Sequence, residues 1–312
     1  MNAIKLTGLR KTYGQVNALD GLDLEIPTGS VFGFLGPNGA GKTTTLRILA
    51  GLAKPTSGTV ELNGEPLSAL KANKTIGYLP EEPAFYPWMT PLECLDFIGG
   101  IFELTAKERK ARSAELLELT GLNEVEKRRI GGFSRGMRQR LGLAQALVNR
   151  PSILLLDEPV SALDPMGRKE VLEMIGSLSK NCTVLMCTHI LADVERVCDT
   201  VAILYNGKRI IQSDREELMQ RYASPALELE FNNGSVTELE RIEEELKQCP
   251  VIRGIQKEGH ILRLSVEDIG QAQSEVMKAA LASNWRFERL DVVKPSLEEI
   301  FVRLVEVEGS TK

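Results

Sequence analysis

The residues best suited to chemistry are the run Gly36-Pro37-Asn38-Gly39-Ala40-Gly41-Lys42-Thr43-Thr44, which reads G-x-x-x-x-G-K-[ST]. Glycines let the backbone bend so that several N–H groups point at one phosphate, and a helix start adds partial positive charge. In such a loop Lys42 would reach the β- and γ-phosphates of a nucleotide, and the Thr43 hydroxyl would sit on Mg²⁺. A second chemical group, Asp157-Glu158, ends the apolar run Ile153-Leu154-Leu155-Leu156. A buried strand delivers such side chains at its C-terminal edge, where α/β sheets bind ligands. Asp157 would hold Mg²⁺ through water, and Glu158 would orient the attacking water and accept its proton. Acidic residues often follow strands, so this pair gains its weight from the glycine loop upstream.

These groups need elements to hold them. Ser30–Leu35 reads as a short strand before the loop and Thr45–Ala50 as a helix after it, the context the motif requires. Thr183–Cys187 and Val201–Tyr205 are further strands, with helical patterns at Leu141–Val148 and Gly167–Leu178. Apolar strands alternating with helices predict an α/β domain over residues 1–223 with a largely parallel sheet. The polar alternation and glycine turns from Ile4 to Val60 predict an antiparallel flank. Near Ser224-Pro225 a second unit, 224–312, is expected to begin. Its pattern is a strand at Leu227–Phe231 ended by Asn232-Asn233-Gly234, a helix at Ser235–Gln248, and a hairpin of Val251–Gln256 and His260–Val266. A helix at Gly270–Ala282 and a strand at Trp285–Val292 complete the order β-α-β-β-α-β, a small ferredoxin-like α+β module. A last helix is expected from Pro295 to about Val305.

Composition bounds the function classes. The 312 residues are 43% hydrophobic and 26% charged, ordinary for a globular protein. No apolar run approaches the roughly 20 residues that span a bilayer, and the first residues lack a signal peptide's apolar core, so a cytosolic location is expected. Cys94, Cys182, Cys187, Cys198 and Cys249 are scattered without CxxC spacing and read as reduced packing residues. A net charge of -5 argues against broad nucleic-acid binding, and no nucleic-acid partner is expected.

Between the two chemical groups lies Gly131-Gly132-Phe133-Ser134-Arg135-Gly136-Met137-Arg138-Gln139. This segment resembles the signature loop of ATP-binding-cassette ATPases, usually Leu-Ser-Gly-Gly-Gln: Ser134 and Gly136 match, while Phe133, Arg135 and Met137 depart. Ser134 can cap the helix that follows, and Ser plus Gly at a helix start can bind an anion. The resemblance extends to four more positions. Tyr13 stands where the family stacks an aromatic on adenine, and Ser161-Ala162-Leu163-Asp164 where paired subunits communicate. His189 stands at the switch histidine near the γ-phosphate, and Glu81 where a Gln usually contacts Mg²⁺ or water. The ordered motifs cover about residues 1–215 and imply a P-loop NTPase cassette with an antiparallel flank and a helical subdomain. They imply two copies packed head-to-tail around two ATP, each nucleotide between Gly36–Thr44 of one chain and Ser134–Gly136 of the other.

A partner surface is expected after Glu81, where Phe85, Tyr86 and Trp88 cluster among prolines that forbid a regular helix or central strand. In the family this region receives a short helix from a multi-span membrane permease, which would hold the chain on the inner face of the membrane. The ending Lys294–Phe301 resembles ATPase subunits of exporters for drugs, antibiotics, sodium or cell-surface glycans. Two other readings stay open: a soluble cassette ATPase outside transport, and a regulatory nucleotide binder of low turnover, the latter motivated by Glu81 and Arg135.

Overall fold

The computed structural model describes residues 1–67, 75–222, 225–231, 236–293 and 297–309. The chain divides into two compact units: Met1–Arg215 together with the segment from Val305, and Glu216–Leu304.

The first unit opens on an antiparallel hairpin, β1 (Asn2–Tyr13) and β2 (Val16–Pro27), whose buried Leu6, Leu9, Leu22 and Leu24 face the core. With β4 (Ser57–Leu62) and β5 (Glu65–Pro66) these strands form a sheet of order β2-β1-β4-β5. The second sheet contains β3 (Val31–Leu35), β6 (Ile76–Leu79), β7 (Ile153–Asp157), β8 (Thr183–Thr188), β9 (Thr200–Tyr205) and β10 (Lys208–Asp214). Its order is β10-β9-β3-β8-β7-β6, parallel except for β10 at the edge. β3, β7 and β8 are buried at every position, as continuous apolar strands in a covered parallel sheet should be.

The helices around this sheet are α1 (Lys42–Leu49), α2 (Pro91–Ile101), α3 (Ala106–Leu119), α4 (Arg135–Ala146), α5 (Pro165–Leu178) and α6 (Leu191–Val197). α2 and α3 start at capping boxes, Thr90 with Glu93 and Thr105 with Glu108, and Pro91 takes the first helical position, where its missing N–H costs nothing. The helix expected at Leu141–Val148 begins earlier, at Arg135, because Ser134 caps it there, and it ends at Ala146.

The second unit holds most of α7 (Arg215–Tyr222), then β11 (Ala226–Glu230), α8 (Val236–Lys247), β12 (Ile252–Glu258), β13 (Ile261–Val266), α9 (Ile269–Ala282) and β14 (Arg289–Val293), and the start of α10 (Leu297–Gly309). The antiparallel order β12-β13-β11-β14 is that of the expected β-α-β-β-α-β module. Two expectations shift. The compact units part after Arg215, where α7 starts, and not near Ser224, which with Asn232-Asn233-Gly234 and Pro295 lies outside the described residues. The last strand begins at Arg289 and not at Trp285. Trp285 is instead buried against α8, its indole donating to Glu245 Oε2 at 3.1 Å.

Candidate functional site

The parallel register decides which side chains meet. Leu35 on β3 pairs with Thr188 on β8, and Asp157 on β7 pairs with Cys187. The residues that leave these strands, Gly36, Glu158 and His189, therefore emerge together at the carboxyl edge. There a pocket of about 340 Å³ is lined by Asn38–Thr44, Tyr13, Glu81, Asp157, Glu158 and His189. Gly36 and Pro37 complete the loop beside it, and Gly36 has no room for a side chain: a Cβ would stand 2.5 Å from Leu204 O. Gly41 takes φ +108°, a conformation open to glycine, and turns the chain into α1.

Lys42 is buried and folds back on its own loop, donating Nζ to Gly36 O at 2.6 Å and Pro37 O at 3.1 Å. The Thr43 hydroxyl donates to Asp157 Oδ1 at 3.3 Å. Burial pushes the Asp157 carboxyl above its ordinary range; the Thr43 bond opposes this, and the charges of Glu158 and Glu81 add to it. A carboxylate held out of water beside a hydroxyl is a pair of hard oxygen donors, which suits Mg²⁺ completed by phosphate and water. No group of three or more His, Cys, Asp or Glu that could hold a metal ion occurs among the described residues.

Glu158 has φ +48°, rare for a side chain of its size, at the turn out of β7. Its carboxylate is held on both oxygens: Oε1 accepts the His189 backbone N–H at 3.0 Å and lies 2.8 Å from His189 Nδ1, and Oε2 accepts the Thr188 hydroxyl at 3.1 Å. Strain of this kind at a ligand pocket motivates a functional reading of Glu158. Tyr13 is 48% exposed, with the Lys11 ammonium 4.7 Å from its ring centroid, so a base could stack on it.

Ser134 accepts the Met137 N–H at 3.2 Å as the cap of α4, but neither Ser134 nor Gly136 lines the pocket. Gly136 lies against the Ser161–Asp164 loop, where a Cβ would meet Leu163 Cδ2 at 3.1 Å. Reading the sequence missed Gln139, buried on α4 with Nε2 3.4 Å from Glu158 O, and Thr188, whose hydroxyl holds Glu158. A polar residue on the apolar face of α4 was the available signal for Gln139; Thr188 carried none.

Beyond Glu81, Tyr86 and Trp88 are 53% and 59% exposed and stack with centroids 4.9 Å apart, while Phe85 is half-buried. The neighbouring groove, about 380 Å³, is lined by Arg47, Leu52, Tyr78, Pro80, Pro83, Ala84, Gly142 and Gln145, and not by the three aromatics. Pro83 and Ala84 supply the wall of this groove in place of the aromatics. The segment is tied to the region before Ser134, with Ile130 N–H on Met89 O and Gly131 N–H on Pro87 O, both 2.9 Å.

Known proteins match both units. A family model described as ABC transporter covers residues 19–161, and one described as ATP-binding protein DrrA1-3-like, C-terminal domain, covers 214–305. An uncharacterized ABC transporter ATP-binding protein, YxlF of Bacillus subtilis (strain 168), is 39% identical over 97% of this chain and 99% of its own length. A Nod factor export ATP-binding protein I of Ralstonia nicotianae (strain ATCC BAA-1114 / GMI1000) is 39% identical over 69% of this chain and 68% of its own. Among solved structures, the dimeric post-hydrolysis state of the ATP-binding cassette MJ0796 bound to ADP and Pi aligns with TM-score 0.63 at 28% identity, over 68% of this chain and 98% of that one.

Proposed function

The chain belongs to the ABC transporter ATP-binding proteins, and from that premise we propose that two copies close head-to-tail around two ATP to drive a separate membrane permease. One observation carries this reading: Tyr13, Asn38–Thr44, Glu81, Asp157, Glu158 and His189 line one pocket, with Gly36 and Pro37 beside it, whereas Ser134, the cap of α4, and Gly136, in its first turn, do not line it. A single chain thus offers half of a composite site, and the second half would come from another copy or a homologous subunit.

Within that site Lys42 leaves the carbonyls of Gly36 and Pro37 for the β- and γ-phosphates, and the backbone N–H groups of Gly39–Thr44 hold the phosphate oxygens. Tyr13 stacks on adenine. Thr43 and Asp157 would hold Mg²⁺, with Glu81 beside them, and the cation would supply positive charge against the phosphates. Glu158 turns from His189 and Thr188 toward the attacking water and takes its proton, while His189 meets the γ-phosphate. Ser134 and Gly136 at the start of α4 face the γ-phosphate of the partner's ATP.

The exposed Tyr86–Trp88 pair, with Phe85 and the groove beside it, is the proposed seat of the permease, which would keep the chain at the inner face of the membrane. The bonds of Pro87 and Met89 to Gly131 and Ile130 connect that seat to Ser134. No helix among the described residues is long and apolar enough to cross a membrane, and on this reading the permease supplies the span. Likeness to a Nod factor export protein supports export as the direction. Residues 224–312 are proposed as an accessory unit that regulates or contacts the dimer.

The test is mixing two inactive variants, K42A and S134E. Head-to-tail sharing predicts that a mixture regains turnover, because one of the two sites in a mixed dimer is then intact. A mixture as inactive as its components contradicts shared sites.

A further inference from the structure

Two loops of the cassette, Ser161–Asp164 and the turn at His189, are joined by an ion pair whose carboxylate is buried. Arg168, in the first turns of α5, donates Nε to Asp193 Oδ1 on α6 at 2.7 Å, with side chains 31% and 3% exposed. The Arg168 N–H is bonded to Asp164 O at 2.8 Å, which fixes it to the end of the first loop. The Asp193 N–H is bonded to Ile190 O at 3.2 Å, and the Ile190 N–H to Thr188 Oγ1 at 3.1 Å. That same hydroxyl donates to Glu158 Oε2 at 3.1 Å. A continuous set of short contacts thus runs from Asp164 through Arg168, Asp193 and Thr188 to Glu158. At its far end the Ser161–Asp164 loop rests on Gly136.

Packing alone explains this pair poorly. Asp193 Oδ2 is buried with no hydrogen-bond partner among the described residues. Buried ion pairs contribute little net stability, and apolar pairs of similar size often replace them without loss. Asp193 also lies in the field of Glu158: burial raises its carboxyl above the ordinary range, Arg168 opposes this, and the Glu158 charge adds to the rise. Neither Arg168 nor Asp193 lines the nucleotide pocket.

We propose that the Arg168–Asp193 pair is a positioning link through which the Ser161–Asp164 loop, on meeting the second copy, sets the Glu158–His189 pair for hydrolysis. This rests on the reading of the chain as an ATP-closed pair. Both residues act through others and touch neither nucleotide nor water in the reaction.

The test uses the full chain with three variants, D193N, R168K and the double R168M/D193L, measuring ATP turnover, its dependence on ATP concentration, ATP affinity and melting temperature. D193N should lower kcat about tenfold, within the usual span of site-to-site coupling, while ATP affinity stays within about twofold. The sigmoidal dependence on ATP that two shared sites predict for the parent should flatten toward a hyperbola in D193N. R168K keeps the charge and should retain part of the turnover. The double variant keeps the packing and should melt near the parent, yet turn over as slowly as D193N. Recovery of turnover together with the fold in the double variant would overturn the link. The dimer reading is checked apart from it, because D193N in an E158Q background should still dimerise with ATP. Dimers of the E158Q parent lost on adding D193N would show a structural defect and overturn the link alone. An E158Q parent that never dimerises would overturn both.

Discussion

Among the described residues the two units bury different chemistry. Every buried polar or charged residue, from Ser30 through Lys42, Asp157 and Glu158 to Asp193, lies in Met1–Arg215. The buried residues of Glu216–Leu304, from Leu218 to Ile300, are apolar throughout, with the Trp285 indole N–H satisfied by Glu245. Burying polar groups costs free energy unless each is paired, so a region that keeps many of them does so for more than cohesion. The first unit keeps the Gly36–Thr44 loop, the Thr43–Asp157 pair and a strained Glu158 together at one edge of its sheet at that cost. The second is a packing module whose charged residues keep part of their surface in water, as in the ion pair of Arg263 with Glu228, 20% and 23% exposed.

Four substitutions break or sharpen that contrast. The largest effect belongs to E158Q, which should slow ATP hydrolysis by about 10²–10⁴ while sparing ATP binding, the range for a lost general base. A steady-state ATPase assay beside an ATP-binding titration checks it. In the second unit L229A should cost about 2–5 kcal/mol through lost packing, lowering that unit's melting transition in calorimetry. Turnover per folded chain should hold; a parallel loss would show that the cassette depends on this core.

D157N should act in the opposite sense. Burial raises the Asp157 pKa in the fold, so the folded chain binds the proton more tightly than the unfolded one. Without nucleotide or Mg²⁺, stability therefore falls as pH rises from the unfolded pKa through the folded pKa, and stays low above it. D157N should remove that slope and melt higher at neutral pH, while losing the stabilisation that added Mg²⁺ and ATP give the parent. The smallest effect is S134A, which removes the cap of α4 and should cost about 1 kcal/mol in a thermal melt.

Legibility followed locality. Gly36–Thr44 could be read from the sequence because its conformation is set within nine adjacent positions and its chemistry is carried by its own backbone. The ladder of the second unit was readable from alternating Leu227, Leu229 and Phe231 and from the hairpin pattern of Val251–Gln256 and His260–Val266. The contact of Glu158 with His189 was not, since it depends on the register of β7 against β8, which no local pattern carries. Arg168 and Asp193 are ordinary charges in sequence and meet only because α5 and α6 pack side by side. Trp285 looked like the start of a strand because aromatics favour strands, but burial against α8 decided its place. Tyr86 and Trp88 were expected at a partner surface; they are exposed and lie ring against ring, and the wall of the neighbouring groove comes from Pro83 and Ala84 instead.

The central claim is that one chain carries half of a composite ATP site. Sedimentation velocity of the E158Q chain, with and without ATP and Mg²⁺, tests it most directly. The account predicts a monomer without ATP and, with it, a dimer holding one ATP per chain. A chain that binds ATP fully and stays monomeric would contradict it.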